Sequence, residues 1–180
     1  RLIPKELITA LDEEEVPAED GCFVARNGLL KLAVLERHHA SGRVGLGILR
    51  GFDIRNGAIA TTVGHDSHNL IVVGDNDADM LRAVDALEEC GGGYVVVQNG
   101  EILAKLALCV AGLMSDAPLE TILKHQRELL AAAAKLGIHT DSDPFITLSF
   151  LALPVIPDVR LTDMGLFDVT RMEFFDPVYQ

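Results

Sequence analysis

The chain has 180 residues, 49% of them hydrophobic, and a formal charge of −12. That suffices for one domain, or one domain with a small appendage, with a core of its own. The acidic balance excludes a nucleic-acid backbone or an anionic membrane surface as partner, because both need a basic face.

In chain order, "RLIPKELITA" is strand-like and "LDEEEVPAED" is a solvated acidic loop, so residues 1–30 read as an entering strand and an acidic loop. "LLKLAVLERHH", "RVGLGILRGF" and "GAIATTV" predict three consecutive strands joined by the turn signals of "HASGR" and "DIRNG", as a β-meander. Gly45 and Gly47 share one face of the second strand, where missing side chains imply close approach of another backbone or of a ligand. "NLIVV" is a fourth strand, fully apolar. "GDNDADMLRAVDALEECGGG" predicts a helix capped at Asp75, Asn76 or Asp77, with Met80, Val84 and Leu87 at helical spacing and Gly91 as its stop. "YVVVQNGEILAKL" is a hairpin around Asn99-Gly100, the favoured type I′ pair. Strand, helix and strand from Asn69 to Val97 form a βαβ-like unit. A second helix, "SDAPLETILKHQRELLAAAAKLG", is expected to be capped by Ser115 or Asp116, with Pro118 in its first turn. Its predicted buried stripe is Leu119, Ile122, Leu123, Leu129, Leu130 and Ala133. The apolar tail is broken by Pro144, Pro154 and Pro157, which predicts a packed loop and short extended segments. The expected fold is α/β (α+β): a single domain, 1–180, with a mixed β-sheet containing a meander and a βαβ unit, and two main packed helices.

Cys22, Cys90 and Cys109 are widely spaced without a CxxC, which fits a reduced, cytoplasmic chain. No signal peptide is expected, and the sequence has no apolar run of the ~20 residues that a membrane span needs. The abrupt start at Arg1, without an initiator Met, leads to the expectation of a fragment or a processed chain.

The densest polar cluster is "GHDSHN", between two apolar strands: His65, Asp66, Ser67, His68 and Asn69. Three readings stay open. Two His and one Asp are ligand types for zinc or another divalent ion, although a short H-x-x-H lacks a third well-placed ligand. His and Asp also suit proton transfer or substrate clamping near neutral pH. Asp66, Ser67 and Asn69 can equally satisfy backbone N–H groups in a structural turn. His38-His39 reads as a solvated strand end, His125 as a helix-flank residue and His139 as exposed. No GxGxxG, P-loop or G-x-S-x-G is present, and Asp75, Asp77 and Asp79 fit helix capping better than a calcium loop.

Four blocks, "ERHHASGRVGLGILRGF", "GAIATTVGHDSHNLIVVGDNDADM", "GLMSDAPLE" and "PFITLSFLALPVIPDVRLTDMGLFDV", occur in an order that resembles the C-terminal domain of the adenine deaminase family, across most of the chain from about Lys31 to Val169. The resemblance implies hydrolysis of adenine to hypoxanthine and ammonia by a protein of the amidohydrolase kind. In such proteins a TIM-like barrel holds manganese or iron, and metal-bound water attacks C6 of the purine. A barrel of ~250 residues cannot fit beside this domain in 180 residues. The metals are therefore expected on the absent barrel and none in this chain. His65, Asp66, Ser67, His68 and Asn69 carry over as substrate-proximal or supporting candidates. The implied partners are the amidohydrolase barrel domain and adenine, and the composition fits a homo-oligomer. The alternative is a stand-alone, non-catalytic binding or assembly module derived from that domain. An independent metal-dependent hydrolase using His65 and His68 is a third reading.

Overall fold

The computed structural model describes residues 1–138 and 143–177, so the expectation for His139 falls outside the described residues. After a two-residue hairpin of β1 (Ala18–Glu19) and β2 (Cys22–Phe23), the chain forms β3 (Leu29–Leu35), β4 (Val44–Arg50), β5 (Gly57–Thr61) and β6 (Leu70–Gly74). Then come α1 (Asp77–Glu89), β7 (Gly93–Gln98), β8 (Glu101–Ala107), α2 (Leu119–Lys135) and α3 (Pro144–Phe150). The chain closes with β9 (Val159–Thr162), β10 (Gly165–Asp168) and β11 (Glu173–Phe175). Six strands make the central sheet, in the order β4-β3-β6-β5-β7-β8, and β11-β10-β9 make a second, three-stranded sheet.

The α+β class holds, with two corrections inside it. The predicted meander is only a hairpin, because β6 lies between β3 and β5. Both β5 and β6 are buried along their whole length. Strands without a polar face must sit centrally, covered on both sides, which pushes β4 to the edge. The βαβ unit exists, but β5 separates its two strands. β6 and β7 run parallel to each other while every adjacent pair is antiparallel, in place of the mixed sheet expected.

One side of the sheet packs α1 through Met80, Ala83, Ala86 and Leu87 onto Ala58, Ala60, Val72 and Val95. The small alanines let the helix lie close. Asn76 caps α1 by accepting from Asp79 N–H, and Gly91, in the left-handed region at φ +77, closes it as Gly92 N–H donates to Leu87 O. Asp79, only 2% exposed, accepts from Gly100 N–H at 2.6 Å and Asn99 N–H at 3.2 Å, which pins the β7–β8 turn to the helix. The other side carries the larger core, with Leu32, Val34, Ile59, Ile71 and Val96 under Leu129, Leu136, Phe145 and Leu148.

The second helix differs from expectation. Its N-cap is Pro118, without a side-chain cap, while Ser115 accepts from Ala117 N–H before the helix begins. Leu129, Ala132 and Ala133 are buried, but Leu119, Leu123 and Leu130 are exposed. The helix packs mainly along β8 at the sheet margin, so only a narrow stripe of it is covered. In the tail, Asp143 caps the short helix α3 through Phe145 N–H and Ile146 N–H, and Pro144 sits in its first turn, so proline here starts a helix. The three-stranded sheet lies over β4. A Cβ at Gly45 would collide with the Thr162 carbonyl, so the expected close approach is that of another backbone. The amino-terminal stretch forms a single bridge, Leu2 to Thr9, where a strand was expected. It is stitched to the far end of the chain. Thr9 Oγ1 donates to Val159 O, and the buried Arg160 donates to Leu7 O and Ile156 O. Among the described residues, no helix is long and apolar enough to cross a membrane.

Candidate functional site

The GHDSHN segment connects β5 to β6, as a loop between two buried strands. Gly64 has no room for a side chain, because a Cβ there would meet Ile71 Cδ1 at 2.6 Å. His65 N–H donates to Ser149 O on α3 at 3.1 Å, and its ring lies 4.9 Å from that of Phe150. His68 N–H donates back to Gly64 O at 2.6 Å, closing the loop on itself, with His68 in the left-handed region at φ +51. The two imidazole rings are 6.1 Å apart.

The loop is held from three sides. Arg37, just past β3, donates from Nε to His68 O at 2.6 Å and from Nη2 to Ala111 O at 2.7 Å. It thereby ties the loop to the 109–114 turn, which Thr62 also holds by donating to Gly112 O. His38 Nε2 donates to Ser67 O at 2.7 Å. His38 was expected on a solvated strand end; β3 stops at Leu35, so His38 and His39 leave the strand and His38 folds onto the loop. Glu36 sets that path by accepting from His38 N–H, His39 N–H and Ser41. These bonds, those of Ser41 first, hold its carboxyl down to about 2. On the third side, the buried Asn69 donates to Asp163 Oδ1 at 3.1 Å, and Arg43 donates to Asp163 Oδ2 at 2.7 Å.

The five candidates thus divide. Asn69 is buried, and Ser67 Oγ accepts from its N–H at 3.4 Å. His65 and His68 are half-buried; burial, then the nearby His65 and Arg37 charges, push the His68 imidazole below its ordinary value. Asp66 and Ser67 are exposed at the loop tip. Asp75 and Asp79 bond backbone N–H groups, as capping residues do. His125 is half-buried on α2. The open hollow lined by Arg1, Leu11, Asp12, Glu13, Glu14 and Arg50 contains none of the loop residues. Its charges pair with one another, Arg1 with Asp12 and Arg50 with Glu14.

Manganese or iron is the metal the family implies, and the donor set can be tested for it. Among the described residues, no three His, Cys, Asp or Glu side chains converge as metal ligands. His65, Asp66 and His68 do not build a metal cage. Arg37, Asp163, Arg43 and Phe150 were missed as members of the cluster. Their sequence signal was faint: one Arg before "HH" and one Asp in an apolar tail.

The family model described as adenine deaminase C-terminal domain matches residues 6–173. The chain belongs to this family. An adenine deaminase of Nitratidesulfovibrio vulgaris (strain DP4) is 53% identical over 175 residues, covering 96% of this chain and 30% of the relative. The adenine deaminases of Halalkalibacterium halodurans and of Leuconostoc mesenteroides subsp. mesenteroides are each 49% identical, again over 96% of this chain. The chain spans 30% and 31% of those two relatives, so most of each lies outside the region shared with this adenine deaminase C-terminal domain.

Proposed function

We propose that this domain supports metal-dependent hydrolytic deamination of adenine to hypoxanthine and ammonia, with manganese or iron held by an amidohydrolase barrel elsewhere in a longer parent protein. The carrying observation is that relatives about half identical over nearly the whole chain are named adenine deaminase, while this chain spans about 30% of their length. The GHDSHN loop is the element presented to the barrel. A loop fixed by Arg37, His38 and Asn69 keeps Asp66 and Ser67 exposed at its tip. Beside it, Val110 and Met114 of the Arg37-bound turn expose apolar surface, at 43% and 61%, of the kind another domain covers. His65 and Asp66 act next to the substrate, and His68 and Asn69 hold the loop in shape. The setting is cytoplasmic purine breakdown, and the parent is a homo-oligomer.

Two measurements test the reading. The isolated 180-residue chain, given adenine and manganese or iron, is expected to release no ammonia at an enzymatic rate; release at such a rate removes the need for a barrel. In the full-length parent, Asp66→Asn and His65→Ala are expected to lower kcat/KM at least ~10-fold with the melting temperature unchanged. Unaltered kinetics would reduce the loop to a structural turn.

A further inference from the structure

We propose that the outer edge of β4 is the surface on which two copies of this chain pair, antiparallel, into one continuous sheet. This rests on the homo-oligomeric reading above and adds the strand, the register and the axis. Glu36 N–H donates to Arg43 O, which fixes the phase of the β3–β4 ladder. Odd-numbered β4 residues turn their N–H and C=O toward β3, and even-numbered ones turn theirs outward. Leu2 N–H takes the outward carbonyl of Arg50. Among the described residues, nothing bonds the outward groups of Val44, Leu46 and Ile48.

The side chains of the same three residues are exposed, at 47%, 68% and 40%. They lie on the α1 side of the sheet, where α1 covers β5 to β8 and stops short of β4. The opposite edge, β8, is built differently. Its ladder shifts at Leu103, it carries Glu101 and Lys105, and α2 packs along it. Bulges and charges keep an edge from pairing, and Val44–Ile48 has neither, although β9 and β10 cover one of its faces.

Charge also selects this strip. Two copies at −12 each repel, yet residues 43–50 contain no acid. The cations along the strip, Arg43, Arg50 and Lys31, are already matched by Asp163, Glu14 and Asp77 of their own chain. The strip is therefore locally neutral, the place where two acidic copies can meet. With Arg50 O taken, a two-fold axis that pairs the outward groups sets Leu46 opposite Leu46 of the second copy, and Val44 opposite Ile48 of the second copy. Glycines then face glycines on the other side, leaving room for both three-stranded sheets. The exposed apolar area is a few hundred Å² per copy, under the ~800 Å² per partner of a standard interface. The isolated chain therefore associates weakly, with Kd on the order of 100 µM.

Sedimentation equilibrium of the chain from about 10 µM to about 1 mM tests this, with amide exchange at both ends of the range. The expected result is a monomer–dimer shift that tightens as salt screens the repulsion, with slowed exchange at Leu46 and Ile48. Leu46→Lys should stay monomeric and folded, since Leu46 is exposed in the monomer. Leu46→Cys, with Cys22, Cys90 and Cys109 changed to Ser, should crosslink to itself on mild oxidation, because paired residues there lie ~5.5 Å apart. A Leu46→Lys dimer would overturn the surface while leaving the homo-oligomer intact. A monomer at about 1 mM with a fast-exchanging Leu46 amide would overturn the pairing. So would a protected Leu46 amide in a monomeric full-length parent, which would assign the edge to another domain of the same chain.

Discussion

Arg37→Met is the sharpest probe of the loop. Methionine keeps much of the aliphatic stem and removes the guanidinium that bonds His68 O and Ala111 O at 2.6 and 2.7 Å. A hydrogen bond from a charged donor contributes ~1.5–3 kcal/mol. Arg37 is half-exposed, so water replaces part of what is lost, and the net cost should be ~2 kcal/mol for the two bonds together. That amounts to a ~30-fold rise in the open population of the loop. Amide exchange reads it directly at His68 N–H, which donates to Gly64 O, and at Leu113 and Met114 N–H, which donate to Val110 O. All three should exchange faster by about that factor, while amides in β5 and β6 change only with global stability. In the full-length parent, kcat/KM for adenine should fall with the loop. Unchanged exchange in both turns would refute the claim that Arg37 joins them.

Three other outcomes follow from the packing and the charges. Gly45→Ala drives a Cβ into the Thr162 backbone and should cost ~3 kcal/mol in urea denaturation. Gly47→Ala, which meets only side-chain methyls of Leu161 and Leu166 at 3.4 Å or more, should cost under ~1 kcal/mol; equal effects would contradict the stacking of the two sheets. Asp79→Ala takes the acceptor from Gly100 N–H and leaves Asn99 N–H only Asn56 O, for ~2 kcal/mol and a melting point lower by ~5 °C. Asp79→Asn, keeping one acceptor, should lose about half as much. His68 has a folded-state pKa below its unfolded value of ~6.5, so the unfolded chain takes the proton first. Its neutral form stabilises the fold fully above pH ~6.5, and stability falls as pH drops below that value. His68→Gln should flatten the melting curve between pH 7.5 and 5.5, and an unaltered slope would exclude this residue as its source.

Local signals carried well from sequence to structure. Asn99 and Gly100 stand at φ +51 and +82, as a type I′ turn requires, and Asn76 caps α1 as its position predicts. What failed was non-local. Nothing in "LLKLAVL" says that it pairs with "LIVVG" some forty residues on, so the strand order was read as sequential. The α2 stripe was assumed to be covered along its length, because amphipathic spacing gives a face without saying how much of it finds a partner. In the tail, Pro144 was counted as a breaker where its position after Asp143 made it a helix start. The candidate loop was legible as a polar cluster, and its supports were not. Asn69 and Asp163 are 94 positions apart, and Arg37 reaches Ala111 across 74. Such partners are set by topology.

The stitch between Thr9 and Val159 joins residues 150 positions apart, and Arg160 reaches back 153 to Leu7. Closing so long a loop costs entropy that neither bond recovers early in folding. The central sheet and α1 can assemble from nearer contacts first, leaving the two ends to dock onto a formed body. Substitutions at Thr9 or Arg160 should accordingly speed unfolding and leave the refolding rate nearly untouched. The domain's resistance to coming apart would then reside in its last-made contacts.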